Sequence, residues 1–267
     1  MHMSERRDVH GTHFRNPLPG TNICLDVTDR DSVQTFVESY RPDVLIWLSG
    51  SKDVSRCELE PNHAFSVNTA PIEVLGSIAK HVNPHMHIIL FSTDYVFDGV
   101  RGQYRDTDRC YPTTQYGKSK LQAEIILRNC GVPYTIIRTS AVMARGGGFL
   151  EWLAQRLEAG QLTAVYKNVF FSPTPLVTLA RCLDVILDSR GDAYKDRTVH
   201  IAGTRTSRYD FALKVAKAIN VDEALIIPDL LNFEETTMQR DLSLLPTQEF
   251  AHECIRWYCD LAEDLGT

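Results

Sequence analysis

Short apolar runs alternate along the first half of the chain with longer segments of helical periodicity. The runs at 44–48 (VLIWL), 87–91 (HIILF) and 134–138 (YTIIR) are bounded by polar residues, as buried parallel strands are. Segments 28–40 and 61–82 carry apolar residues at helical spacing. Strand and helix therefore alternate, which predicts a parallel sheet with helices on both faces.

The remaining pattern is less regular. Residues 9–14 and 22–27 have the composition of two further short strands. The second half of the chain mixes helices with short strands, and we interpret it as a smaller lobe over the carboxyl ends of the sheet strands. Its predicted helices are 149–158, 176–187 and 208–219, and its predicted strands are 162–165 and 198–201.

The stretch from 91 to 120 (FSTDYVFDGVRGQYRDTDRCYPTTQYGKSK) concentrates the candidate chemistry. Its first strand ends in the hydroxyls of Ser92 and Thr93, and a loop then leads to Tyr116 and Lys120. Tyr116 and Lys120 are four residues apart, so on a helix they share one face.

This spacing is typical of a tyrosine that works as an acid. An ammonium near a phenol favours the phenolate and lowers the tyrosine pKa, so Lys120 is expected to act on Tyr116 in this way. Tyr116 is then a candidate proton donor to a carbonyl that is reduced by hydride, and Thr93 or Ser92 a candidate to polarise the same oxygen. The alternative is a surface tyrosine and lysine that merely share a helical face.

The sequence STDYVFDG followed by YGKSK resembles the extended short-chain dehydrogenase/reductases. Within them it is most similar to the dTDP-4-dehydrorhamnose reductases and to the regulatory beta subunit of methionine adenosyltransferase, over residues 9–245. The resemblance implies a Rossmann-like sheet and a catalytic trio of Thr93, Tyr116 and Lys120. It also implies a set of substrate-binding residues: Ser92, Asp94, Asn68, Ser140 and Pro173. For Asn68, a plain polar position on a helix is the alternative.

The cofactor implied by this resemblance is NADP, with NAD as the alternative. In dinucleotide-binding folds the end of the second strand meets the adenosine ribose, where an acid suits NAD and a base suits NADP. This chain has His13 and Arg15 there, and no acid. Arg15 is suited to pair with a phosphate, although a solvated loop arginine is the alternative. Asp26 and Val27 resemble the adenine-contacting pair of the family.

Further cofactor contacts are predicted where the next strand ends, at Ser49 and Gly50, and on the helix, at Tyr116 and Lys120. The family pattern begins with an apolar strand and G-x-x-G-x-x-G, which this sequence lacks, and only residues 4–7 resemble the end of the helix that follows. The triple glycine at 146–148 is predicted to be a loop beside the substrate.

Without that first strand, we expect a slot in the sheet between the strand at 9–14 and the strand at 44–48. Two explanations stay open: the natural chain begins upstream of Met1, or this form has lost ordinary cofactor binding. We therefore predict an incomplete dinucleotide-binding domain at 1–145 and a domain at 146–267 that is mainly a substrate-binding lobe.

The substrate side departs from the rhamnose reductase pattern. The family's R-T-S-W is here R-T-S-A, ending in Ala141, and of its D-Q-x-G-x-P-T only Pro173 and Thr174 are kept. Both departures weaken the assignment of a dTDP-sugar as substrate.

Composition further narrows the classes of protein to which this chain can belong. The apolar content of 43% and charged content of 23% are ordinary for a globular protein, and the net charge of −6 argues against a nucleic-acid surface. No apolar run reaches the length of a membrane span, and the N-terminus lacks the apolar core of a signal peptide. Seven scattered cysteines without metal spacing predict reduced thiols in the cytoplasm and no metal site.

Three functions remain after these considerations. The leading prediction is an NADP-dependent oxidoreductase that reduces a nucleotide-linked 4-keto sugar. The second is a regulatory or binding subunit that keeps the fold and turns nothing over, and the third is a sugar-nucleotide epimerase or dehydratase on the same scaffold. A homodimer or a partner subunit is compatible with each of them.

Overall fold

The computed structural model describes residues 7–17, 19, 21–144, 146–189, 192–256, 261 and 265. Its helices are α1 (Arg30–Tyr40), α2 (Val54–Leu59), α3 (Pro61–Asn68), α4 (Ala70–Val82), α5 (Gln115–Asn129), α6 (Gly148–Glu158), α7 (Leu176–Asp188), α8 (Arg208–Ala218) and α9 (Ala251–Ile255). Its strands are β1 (Gly11–His13), β2 (Thr21–Cys24), β3 (Val44–Trp47), β4 (His87–Thr93), β5 (Tyr134–Thr139), β6 (Val142–Met143), β7 (Thr163–Tyr166), β8 (Phe170–Phe171), β9 (Thr174–Pro175), β10 (Arg197–Ile201), β11 (Thr206–Ser207) and β12 (Ile226–Asp229).

A parallel sheet in the order β10-β5-β4-β3 forms the centre of the fold. β4 lies between two partners: Leu90 pairs with Trp47 of β3, and Thr93 pairs with Thr139 of β5. Because the strands are parallel, the polar residues that follow them gather at one edge of the sheet.

Both faces of this sheet are covered by helices. Ile88 and Leu90 pack into a core with α1, α4 and α5, whereas Ile89, which lies between them in β4, packs against α7 and α9. Successive side chains of a strand point to opposite faces, so the continuous apolar run of β4 serves two cores. The predicted Rossmann-like α/β class is confirmed.

β1 and β2 pair with each other, apart from the central sheet. Within the described residues no ladder joins β1 to β3, and β3 is an edge strand. This agrees with the expected interruption between them. Leu25, Val33 and Val37 nevertheless share a core with Trp47, which holds the small β1–β2 unit against the rest. The predicted helix remnant at 4–7 lies outside the described residues except for Arg7.

The single helix predicted at 61–82 is wrong, because α3 ends at Asn68 and α4 begins at Ala70. Pro71 has no backbone N–H to donate to the preceding turn and its ring crowds that turn, so one continuous helix cannot pass through it. The short helix α2 also escaped the sequence pattern.

The second half of the chain contributes to two bodies of structure. α6, α8, β7 and β12 enclose a separate core that includes Leu153, Phe171 and Phe211. β10 and α7, by contrast, belong to the central sheet and its second face. The second half of the chain therefore supplies both a separate lobe and two elements that complete the central sheet and its cover.

Candidate active site

The carboxyl end of β4 turns sharply into the candidate site. Thr93 caps a 3-10 turn over Asp94–Val96, with its Oγ1 accepting a bond from the Tyr95 N–H at 3.2 Å. The same hydroxyl donates to Oδ1 of Asp94 at 3.0 Å, and Ser140 at the end of β5 donates to Oδ2 at 2.6 Å. Asp94 is therefore held from two neighbouring strands.

The start of α5 is fitted tightly against this turn. Thr114 caps the helix by accepting from the Gly117 N–H at 3.0 Å. A Cβ at Gly117 would lie 2.1 Å from the carbonyl oxygen of Tyr95, a contact that a side chain does not tolerate. Glycine is needed here, and the close approach sets the ring of Tyr116 edge-on to that of Tyr95, with centroids 5.6 Å apart.

Tyr116 and Thr93, two of the predicted catalytic residues, line the same cleft. Burial raises the pKa of Tyr116 above its usual value, the nearby Thr93 hydroxyl offsets this in part, and the nearby Asp94 raises the pKa further. The expected lowering of the Tyr116 pKa by Lys120 is therefore wrong for this arrangement, because removal of the phenol from water outweighs every favourable contact.

Lys120 lies one turn along α5 with its ammonium directed elsewhere. Its Nζ donates to the carbonyl oxygen of Phe91 at 2.6 Å, and the side chain is buried. Burial lowers the pKa of Lys120 to about 8, against the opposing effect of Glu124. Lys120 thus titrates close to neutral pH, which suits a group that is to exchange partners in a reaction.

A buried charge network anchors the same helix further along. Glu124 accepts from Arg138 of β5 at 3.0 and 2.7 Å, from Arg128 at 2.9 Å and from Ser92 of β4 at 2.5 Å. Burial would raise the pKa of Glu124, but the Arg138 guanidinium reverses this and the pKa is lowered. Ser92, predicted to contact substrate, is instead committed to this network, which fixes α5 against two strands.

Sequence reasoning missed this network. Glu124 stands four residues after Lys120 and eight after Tyr116, so the helical face was readable. Arg138 interrupts an otherwise apolar strand, and such a charge needs a buried partner. Those two signals together would have found the pair.

Asn68 bridges two parts of the chain beside the site. Its Oδ1 accepts from the Ser51 N–H at 2.7 Å, and its Nδ2 donates to Oγ of Ser119 at 3.0 Å. A Cβ at Gly50 would lie 2.5 Å from that Oδ1, and Gly50 has a φ of +147°. Asn68 therefore holds the Ser49-Gly50 turn to α5 and lies outside the cleft lining, and its predicted substrate contact stays a prediction.

A cleft of about 180 Å³ opens over these residues. Thr93, Asp94, Tyr116 and Ser140 line it from the sheet side. From the lobe come the side chains of Val169, Phe170, Phe171, Arg208, Met238, Gln239 and Leu242. Pro173 is buried outside the lining, where its carbonyl accepts from the Gly203 N–H at 3.0 Å, so its predicted substrate contact is not found in this geometry.

The predicted cofactor residues lie at other strand ends. His13 ends β1 and has a buried Nδ1 without a hydrogen-bond partner, while Arg15 is exposed beside the Phe14 ring. Asp26 follows β2 and accepts from the N–H and hydroxyl of Thr28 at 2.9 and 2.7 Å. Val27 packs partly into the core. An unsatisfied imidazole nitrogen and an exposed guanidinium fit the phosphorylated ribose of NADP.

Among the described residues there is no cluster of His, Cys, Asp or Glu side chains arranged to hold a metal ion. Within the same part of the chain, each helix is too short or too polar to cross a bilayer.

Comparison with known proteins gives consistent matches. A family model described as the RmlD substrate binding domain matches residues 3–257. A dTDP-4-dehydrorhamnose reductase of Aggregatibacter actinomycetemcomitans is 32% identical over 197 residues, 72% of this chain and 66% of that protein. The probable low-salt glycan biosynthesis reductase Agl14 of Haloferax volcanii is 32% identical over 211 residues, 76% of this chain and 68% of that protein. The matched part spans about two thirds of these relatives.

Two solved structures that match this chain are also described as dTDP-4-dehydrorhamnose reductases. A hypothetical dTDP-4-dehydrorhamnose reductase from Sulfolobus tokodaii shares 30% identity at a TM-score of 0.79, covering 91% of this chain and 85% of that one. A dTDP-4-dehydrorhamnose reductase from Bacillus anthracis in complex with NADP has a TM-score of 0.81 at 21% identity, covering 94% of this chain and 92% of that one. At that identity the second likeness concerns the fold alone.

Proposed function

The chain belongs to the RmlD substrate binding domain family, and from that premise we propose that it is an NADP-dependent reductase of a nucleotide-linked 4-keto sugar. The observation that carries the proposal is that the hydroxyl groups of Thr93 and Tyr116 line one cleft, with Lys120 one turn further along α5. Two hydroxyls that share one oxygen-binding position suit the reduction of a carbonyl.

Each residue of the trio has a separate part in the proposed reaction. Tyr116 donates its proton to the keto oxygen, and its raised pKa keeps that proton in place at neutral pH. Thr93 holds the same oxygen by donating its hydroxyl proton to it in place of Asp94. Lys120, with a pKa of about 8, favours the phenolate as it forms once its ammonium turns from Phe91. Bound NADPH supplies the hydride.

The cofactor would be held along the carboxyl edge of the strands. Arg15, with His13 beside it, meets the ribose phosphate, and Asp26 and Val27 lie towards the adenine. The Ser49-Gly50 turn, Tyr116 and Lys120 hold the nicotinamide half. The unpartnered His13 Nδ1 and the exposed Arg15 support the phosphate end of this assignment.

The experiment that tests the proposal compares two tyrosines of one cleft. Tyr116→Phe removes the proton donor and keeps the ring, so the rate of NADPH oxidation with dTDP-4-dehydrorhamnose should fall by at least ~100-fold. Tyr95→Phe, the matched control, removes a neighbouring hydroxyl from the same lining and should leave most of the rate. A Tyr116→Phe protein with an unchanged melting temperature and most of its activity would refute the role of Tyr116.

A second candidate is a regulatory or binding subunit without turnover. The Lys120 ammonium bonded to the Phe91 carbonyl favours it, because Lys120 then does not tune Tyr116. The same assay separates the two candidates when calorimetric titration with NADPH is added. Binding of NADPH with no turnover of any keto sugar would favour the second.

We also propose a reducing cytoplasm as the setting, and a homodimer or partner subunit as the assembly. The thiols of Cys57 and Cys182, which form no disulfide, support the first of these. Mass by sedimentation, with and without a thiol oxidant, would test both.

A further inference from the structure

Arg208 is a cation of the cleft for which the proposed reaction has no use. It is the first residue of α8, and its N–H donates to the carbonyl oxygen of Val169 at 2.9 Å, which fixes its position. The guanidinium lies over the ring of Phe149 at 4.4 Å and that of Phe171 at 4.8 Å. Stacking on these two rings therefore fixes the orientation of the guanidinium plane.

Arg208 is half-buried, and its guanidinium is unpaired. Its Nε is buried and has no hydrogen-bond partner among the described residues. Burial lowers the pKa of Arg208, and the nearby Tyr95 and Asp94 oppose this. A buried charge that lacks hydrogen bonds is unfavourable, and stacking on rings supplies no acceptor for its N–H groups.

The carboxylate that might have paired with it is engaged elsewhere. Asp94 binds Ser140 and Thr93, and burial raises the pKa of Asp94 to about 6. No salt bridge joins Asp94 to Arg208 within the described part of the chain. Lys52 adds a second cation to the same lining. The charge of the cleft thus favours an anionic occupant.

Arg205, a neighbouring arginine of the lobe, also lies over an aromatic ring but pairs with a carboxylate. Arg205 stacks over Phe170 at 3.7 Å, and its Nε pairs with Oδ2 of Asp241 at 2.7 Å. Both arginines sit on an aromatic face of the lobe, and only Arg205 has a carboxylate from the chain itself. Of these two arginines, the one that lines the cleft is therefore the one without a carboxylate to accept from its guanidinium.

We propose that Arg208 is the residue that selects an anionic substrate, by pairing its guanidinium with a phosphate or carboxylate of the molecule that presents its carbonyl to Tyr116. This rests on the proposed function. A planar guanidinium held between rings is oriented before the ligand arrives, and it matches both oxyanions with two parallel bonds.

Calorimetric titration of the full chain with paired probes tests the assignment. One arm uses dTDP against thymidine, which differ in the phosphates, and the other uses glucuronate against glucose, which differ in the carboxylate. Arg208→Gln should weaken the binding of one anionic probe by ~10- to 100-fold and leave its neutral counterpart unchanged. The arm that responds identifies the oxyanion.

Arg208→Lys and Arg205→Gln complete the design. Arg208→Lys keeps the charge without the planar pair of donors and should recover only part of the affinity, whereas Arg205→Gln should not change it. The proposal is overturned if the unaltered chain binds neither anion, or if Arg208→Gln and Arg208→Lys both bind as the unaltered chain does. It is overturned too if Arg208→Gln weakens the neutral probes equally.

The two proposals fail separately. A chain that binds dTDP through Arg208 but oxidises no NADPH keeps this inference and refutes the reductase. A chain that reduces its keto sugar with the same KM in Arg208→Gln keeps the reductase and refutes the inference.

Discussion

Arg138 and Arg208 lie on two sides of the same cluster of strand ends and have opposite surroundings. Arg138 is 2% exposed, stacks on Phe97 at 5.3 Å and shares two hydrogen bonds with Glu124. Burial alone would lower its pKa, but Glu124 outweighs this and the pKa of Arg138 is raised. Arg208 is half-buried and stacks on two rings, and no carboxylate among the described residues forms a salt bridge with it. A buried charge paired within its own chain stabilises the fold, whereas an unpaired cation at a cleft is available to a ligand.

Arg138→Met should produce the largest effect. It leaves Glu124 buried with the Ser92 hydroxyl and the partly exposed Arg128 beside it, and a broken buried pair costs about 3–5 kcal/mol of unfolding free energy. Urea unfolding measures this. A loss below ~1 kcal/mol would show that the network contributes little and would remove one side of the comparison.

Gly117→Ala tests whether the helix that carries Glu124 also positions the cleft. Its new methyl meets the Tyr95 carbonyl, so the start of α5 must move, at a cost of about 1–3 kcal/mol and with loss of turnover. Thermal melting and the NADPH assay report the two effects. Lys118→Ala, an exposed change in the same turn, is the control. Full activity in Gly117→Ala would mean that Tyr116 does not depend on this close approach.

Arg208→Met should not lower the unfolding free energy as Arg138→Met does. Replacing an unpaired, half-buried cation by an apolar side chain of similar length removes a partial desolvation penalty, so the unfolding free energy should stay within ~1 kcal/mol or rise. The same urea experiment checks it. Destabilisation as large as that of Arg138→Met would mean that Arg208 is a structural residue like its counterpart.

The smallest expected effect is a pH dependence from Asp94. Its folded pKa of about 6 lies above the unfolded value of 3.8, so between these values the folded state binds more protons than the unfolded one. Its contribution to stability is complete below pH 3.8 and is lost as the pH rises through about 6. Glu124 gives the opposite slope, because its pKa is lowered. The two slopes therefore offset each other in part.

Asp94→Asn isolates that contribution. Urea unfolding in steps across this pH range should show a more favourable trend with rising pH in Asp94→Asn than in the unaltered chain. Parallel profiles for the two proteins would mean that Asp94 is already ionised throughout.

Some features of the fold and site are predicted well because their signals lie within a few neighbouring residues of the sequence. β4 is an uninterrupted apolar run, and Tyr116 and Lys120 stand one helical turn apart, so each is readable within a few residues. The break at Thr69 was also local, in Pro71, and was overlooked. The Glu124–Arg138 pair and the pKa of Tyr116 were harder, because they depend on which elements close over them. Arg208 carries no sequence signal, since only the folded lobe places it in the cleft.

The separation of β1–β2 from the central sheet has a consequence for how the molecule opens. Stability within a fold is divided among cooperative units, and a unit opens alone when few backbone bonds tie it to the rest. Within the described residues β1 and β2 share a ladder only with each other, while β4 is bonded on both sides. Amide protons of Ile23 and Cys24 should therefore exchange with solvent deuterium well before those of Ile89 and Leu90, by local opening that leaves the central sheet intact.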